Sequence, residues 1–210
     1  MNSIILAIQD GGIWMAPIII SFVFALAIMG ERTFVIFSAL SNKKTLLANV
    51  KSALIAGNVV KASQQCSGSQ PLPKVLKAGL SKAGRPDKEM ESAFDQAIME
   101  EFPVLTKRMA FLPMLANVAT LSGLLGTIIG LIEAFDAVAS AAPDQKQIML
   151  AKGISKAMYT TAGGLVVAIP TLVGNALLLA VVTGIMDDVD SGAASVLNEY
   201  RATRGTEAAK

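Results

Sequence analysis

Histidine is absent from this chain of 210 residues, cysteine and tryptophan occur once each, and charged side chains make up only 16%. Each shortage excludes something. Without an imidazole, the Ser-His-Asp and Cys-His arrangements of hydrolases cannot form. The single Cys66 cannot make an intramolecular disulfide, and one cysteine with no histidine cannot assemble a zinc site. A formal net charge of +2, with acids interleaved among the bases, lacks the clustered Lys and Arg of a nucleic-acid surface. Soluble domains carry about 25% charged residues. Here the low charge comes with 53% apolar residues and a mean hydropathy of +0.55, which points to a membrane protein and away from disorder.

Three stretches lack Asp, Glu, Lys and Arg for long enough to cross a bilayer, which takes about 20 apolar residues. They run from Gly11 to Gly30, from Met109 to Ile132 and from Ala157 to Met186. Met1 to Asp10 contains no Lys or Arg, unlike the start of a cleaved signal peptide, so the first span is expected to be retained. Between Arg32 and Arg108 lie 12 of the 18 basic residues, whereas Glu133 to Lys156 holds three bases and three acids. The positive-inside rule therefore puts the N-terminus and the second loop outside, and the first loop, Cys66 and the C-terminus inside.

Ile4, Ile5, Leu6 and Ile8 with Gln9 and Asp10 read as an amphipathic helix at the outer interface, with Trp14 as an anchor. In the cytoplasmic region Leu46, Leu47, Val50 and Leu54 share a helical face, as do Val75, Leu76 and Leu80, and Ser67 to Pro73 reads as a loop. A helix is expected to begin near Pro86, with Asp87 and Glu89 in its first turn. No strong stop signal precedes the second span, so this helix is expected to run to Ile132, about 70 Å at 1.5 Å per residue, with Pro103 and Pro113 at most kinking it. The third helix is expected to continue past Asp187.

On the second span Thr120, Gly123, Thr127 and Gly130 recur at steps of three and four, and Gly126 with Gly130 forms a small-xxx-small pair. On the third, Thr161, Gly164 and Ala168 do the same beside Thr160 and Gly163, and Pro170 can kink the helix. Such faces serve close helix packing, with threonines bonding back to their own helix, or they line a polar path. Packing of Gly123, Gly126, Gly130 and Gly164 is expected to need neighbouring copies, hence a ring. None of the three charge-free runs contains Asp, Glu, His, Lys or Arg, so any proton carrier must come from a partner. An intramembrane enzyme would need a catalytic dyad or metal site beside the spans, and the sequence offers neither. The chain is read as not an enzyme, with no cofactor and no metal.

The sequence resembles the MotA/TolQ/ExbB family of proton-driven stator subunits, nearest its ExbB and TolQ branch. The residues that carry this are Glu31-Arg32, the run from Leu124 to Ile132 with Ala134-Phe135, the run from Thr161 to Pro170, and Pro73 to Leu80. The resemblance implies an all-α protein of the bacterial inner membrane: three transmembrane helices with long cytoplasmic helical extensions, forming a homo-oligomeric, pentameric ring. Second and third helices would surround a channel holding the single spans of two copies of an ExbD/TolR-type partner, whose Asp takes and releases the proton. A TonB/TolA-like energy transducer and membrane lipids would be further partners. Thr127 and Thr161 match the family's pore threonines, with Thr120, Gly123, Gly130, Thr160, Gly164 and Pro170 in auxiliary or packing roles. Lys156 departs from a frequent family Glu; its ammonium cannot serve as an acidic relay and is expected to pair with a partner carboxylate or snorkel outward. The implied layout is an outer interfacial helix at 1–10, spans at 11–38, 109–132 and 157–186, a cytoplasmic helical region at 39–108, a short periplasmic loop with helix ends at 133–156 and a cytoplasmic C-terminal helix and tail at 187–210. A partner-free structural oligomer or passive pore is the alternative.

Overall fold

The computed structural model describes residues 12–40 and 42–208, so the proposed interfacial helix at 1–10 lies outside the described residues. Among the described residues all regular secondary structure is helical. A short 3-10 turn, Gly12–Trp14, leads into α1 (Met15–Ala39), followed by α2 (Lys43–Ile55), α3 (Val59–Gln65), α4 (Pro71–Leu80), α5 (Asp87–Thr106), α6 (Phe111–Ser140) and α7 (Lys146–Ala208). Three helical stretches are long and apolar enough to cross a membrane, with mean hydropathies of 2.3, 1.9 and 2.4 in their richest windows. They contain the three charge-free runs of the sequence, the first from Gly12 onward.

Two expectations need correction. The helix that begins after Pro86 does not run to Ile132: α5 ends at Thr106, and Arg108 takes a left-handed backbone with φ 64°. Pro113 supplies a reason. Inside a continuous helix it would deny the Met109 carbonyl its donor and press its ring on that carbonyl. With α6 starting at Phe111, the proline stands in the first turn, where its missing N–H costs nothing. The loop expected from Ser67 to Pro73 is also shorter, because Pro71 and Pro73 occupy the first turn of α4. The same pre-set φ that reads as a breaker in sequence starts a helix here.

The chain divides into two compact units. The first comprises Met1–Glu31 and Arg108–Leu177. At its centre Met15 and Ile18 of α1 meet Ala119 of α6 and Val167 of α7, all buried. Ser21, also buried, satisfies its hydroxyl by donating to Pro17 O at 2.8 Å, which makes a polar residue acceptable in an apolar helix.

The second unit comprises Arg32–Lys107 and Leu178–Lys210. Its core is formed by Val50 and Leu54 of α2, Val75 and Leu76 of α4, Met90 and Phe94 of α5, and Val189 and Val196 of α7. Gly79 lets α4 sit directly on the Phe94 ring, where any side chain would collide. Charges around this core are paired: Lys43 with Asp188 at 2.6 Å, Lys74 with Glu101 at 2.9 Å and Arg201 with Glu91 at 2.9 Å. Arg32 is buried and donates from Nη1 to the Val104 carbonyl at 3.2 Å, one of the acceptors left over where α5 ends. Burial pushes the Cys66 thiol up to about 11, the nearby Lys77 charge acting weakly against it.

Candidate functional site

The small residues of α6 and α7 meet each other inside the first unit. A Cβ on Gly123 would fall 2.7 Å from Thr160 O and 3.1 Å from Thr161 Cα, and one on Gly164 would fall 2.6 Å from Ala119 O. Gly126 accommodates the Thr160 side chain and Gly130 faces Ala157. The expectation that these glycines need neighbouring copies is therefore corrected: their close packing is completed within one chain. Sequence spacing identifies a face of a helix but not the helix it meets.

That close approach brings three hydroxyls to one carbonyl. Thr127, Thr160 and Thr161 each place Oγ1 3.1 Å from Gly123 O. Thr160 also reaches Ala157 O at 2.7 Å, Thr127 reaches the same carbonyl at 3.3 Å, and the Thr127 and Thr161 hydroxyls are hydrogen-bonded to each other. A carbonyl oxygen has two lone pairs, so three hydroxyls cannot all donate to Gly123 O at once. Because Gly123 O already accepts the helical N–H of Thr127, at least two of the hydroxyls must turn to Ala157 O or to a neighbouring hydroxyl. The cluster thus has several hydrogen-bond arrangements of similar composition, and its hydroxyls can donate or accept without a net charge. Thr160 is 1% exposed, whereas Thr127 and Thr161 are half-buried and partly reachable from outside the chain.

The other residues singled out in the sequence lie elsewhere. Thr120 donates to Ala116 O of its own helix at 3.0 Å. Pro170 stands within α7 on an exposed position, and α7 continues through it. Lys156 is exposed at the other end of the cluster, where it lines a cavity of about 120 Å³ together with Glu133 and Trp14. Glu133 was legible in sequence only as the charge that ends a span; its placement opposite Lys156 follows from the return of α7 alongside α6. At Glu31 the first unit carries an ion pair to Arg108 at 2.7 Å.

Apolar helices packed through glycines around a cluster of hydroxyls define a helical membrane protein with a polar spot built into its spans. The chain belongs to the MotA/TolQ/ExbB proton channel family, whose family model matches residues 67–191. It is 28% identical over 174 residues to biopolymer transport protein exbB1 of Vibrio cholerae serotype O1, a match covering 81% of this chain and 76% of that one. Over 80 residues it is 39% identical to the Tol-Pal system protein TolQ of Haemophilus influenzae, covering 38% of this chain and 35% of the relative. Over 76 residues it is 45% identical to biopolymer transport protein ExbB of Helicobacter pylori, covering 35% and 51%.

Proposed function

We propose that this protein is the channel-forming stator subunit of a bacterial inner-membrane motor that couples the proton motive force to mechanical work on a cell-envelope partner. It acts as a pentamer, with the N-terminus periplasmic and the C-terminus cytoplasmic. Within the ring, α6 and α7 surround the single spans of an ExbD/TolR-type partner, in two copies, and a TonB/TolA-like transducer carries the motion outward. The observation that carries this reading is the convergence of Thr127, Thr160 and Thr161 on Gly123 O within spans that hold no Asp, Glu, Lys or Arg. A partner carboxylate beside Thr127 and Thr161 would find donors when ionised and acceptors when protonated, so the proton is passed on without being trapped.

Each proton crossing the membrane releases about 2.3 kcal/mol per 100 mV, so several must be coupled to one cycle of work. Co-expression with a neighbouring gene encoding a short, single-span protein with an Asp near the outer end of its span, followed by native mass measurement, tests the assembly. Five copies of this chain with two of the partner are expected. A stable monomer in mild detergent and in nanodiscs would reject the ring. Thr127→Val and Thr161→Val, which keep shape and remove the hydroxyl, should each abolish the driven process with assembly intact, and Thr→Ser should be milder. Thr120→Val is the control, since its hydroxyl serves its own helix.

A further inference from the structure

We propose that the cavity between the outer ends of α6 and α7 is a hydrated vestibule leading through the protomer itself to the hydroxyl cluster, with Glu133 and Lys156 as the opposed charges that set which ions enter it. The inference rests on the reading of Thr127 and Thr161 as the ion path and adds a route that ends at Thr160, whose hydroxyl lies 3.5 Å from that of Thr127. The cavity holds about 120 Å³, room for about four waters at 30 Å³ each. Its lining is polar at both extremes. Glu133 and Lys156 face it from opposite helices, and the buried Thr160 borders it one helical turn further along α7. From Glu133 to Gly126, which also borders it, is seven residues of α6, about 10 Å at 1.5 Å per residue. Water in such a space finds the two to four polar partners it needs, whereas an apolar void of this size would stay dry.

Glu133 and Lys156 also line a second, wider space of about 220 Å³ beside Lys152, and both side chains are exposed. They therefore stand where the inner cavity communicates with the surface. A lone carboxylate at that point would concentrate cations and hold them; a lone ammonium would repel them. In the inner cavity the two charges offset each other, so neither cations nor anions accumulate there, while Lys152 adds one positive charge to the outer space that is the same in every variant compared. Removing one charge should bias entry in one direction, and removing the other should bias it oppositely.

The test uses the full chain in membrane vesicles, with Cys66→Ser and Ile129→Cys. Ile129 borders the cavity one turn inward of Glu133, and Ile128→Cys, next to it but outside the lining, is the reference. Rates of modification by a cationic aminoethyl and an anionic sulfonatoethyl methanethiosulfonate are compared. Ile129→Cys should react with both reagents. Glu133→Gln should lower the cationic-to-anionic rate ratio about three- to tenfold and Lys156→Met should raise it by a similar factor, as expected for one unit charge about 6 Å from the path. At Ile128→Cys the ratio should not move with either substitution. An unreactive Ile129→Cys, or a ratio that ignores Glu133 and Lys156, overturns the proposal.

Should Ile129→Cys fail to assemble, Trp14, the single tryptophan and a lining residue, gives the same readout in the otherwise native chain. Quenching of its fluorescence by caesium relative to iodide should fall with Glu133→Gln and rise with Lys156→Met, and no change would equally overturn the vestibule. If the charge-dependent ratios appear while Thr127→Val and Thr161→Val retain full driven activity, the vestibule stands and the threonine reading fails. If the threonine variants are inactive and the ratios are flat, the vestibule fails alone.

Discussion

Gly123→Ala is the sharpest perturbation of the α6–α7 contact. The added methyl would lie 2.7 Å from Thr160 O, 3.1 Å from Thr161 Cα and 3.4 Å from Gly164 Cα. All three are backbone atoms, so no rotamer change can make room. Contact between such atoms is relaxed at about 3.5 Å, so the helices must separate by about 0.8 Å. That is enough to stretch the 3.1 Å bonds of Thr160 and Thr161 to Gly123 O beyond useful length. Overpacking of this kind costs about 1–3 kcal/mol, against which the better helix propensity of alanine returns about 1 kcal/mol. Gly30→Ala isolates the clash, because a Cβ there has nothing within 4 Å and gains the propensity alone. The difference between the two variants should therefore be about 1–3 kcal/mol, read as thermal midpoints in one detergent at about 2–4 °C per kcal/mol. Gly164→Ala, directed at Ala119 O, should repeat the loss. If Gly123→Ala melts with Gly30→Ala, the two helices do not pack in this register.

Three further outcomes are expected, two from the structure and the last from the charge asymmetry of the loops. Arg108→Gly should be about 1 kcal/mol more stable than Arg108→Ala by denaturation: both lose the Glu31 pair, but only glycine relieves the left-handed backbone at φ 64°. An alanine variant that is equally stable would mean the helix break carries no strain. The native Cys66 thiol should alkylate slowly, its rate still climbing toward pH 11, while in denaturant the rate levels near pH 9. Because the folded value lies above the unfolded one, the associated stability is present below about pH 9 and is lost as pH rises toward 11, and Cys66→Ser should remove that loss. Cys66 is too buried to report topology, since it would stay unlabelled on either side of the membrane. In a Cys66→Ser background, an impermeant thiol reagent on spheroplasts should label Gln147→Cys and not the exposed Ser81→Cys; the reverse pattern would invert the orientation.

The three long apolar helices were legible because Asp, Glu, Lys and Arg are absent from long runs within them, a one-dimensional signal that an apolar environment imposes directly. Periodicity found the helix faces of Val50 and Leu54, of Val75, Leu76 and Leu80, and of Thr127 with Gly123. What it could not give was partnership. Whether the glycine face of α6 meets α7 of the same chain or of another depends on the turn at 141–145, and spacing is silent on that. The break at Lys107 to Ala110 has no glycine and no local stop signal; it arises from Pro113 downstream, together with the Glu31 pair that holds Arg108. Arg32 finds its carbonyl 72 residues away, and Glu133 faces Lys156 across 23. The convergence of three hydroxyls on Gly123 O is of the same kind: each threonine was visible, and the oxygen they share was not.

Proton flux into proteoliposomes, driven by an imposed membrane potential and followed with an internal pH dye, tests the central claim most directly. The chain purified alone should leave the vesicles tight. The chain co-purified with the proposed single-span, Asp-bearing partner should take up protons, and the Thr127→Val, Thr161→Val double variant with the same partner should not. Equal flux from the chain alone, or undiminished flux from the double variant in an intact complex, would contradict the account.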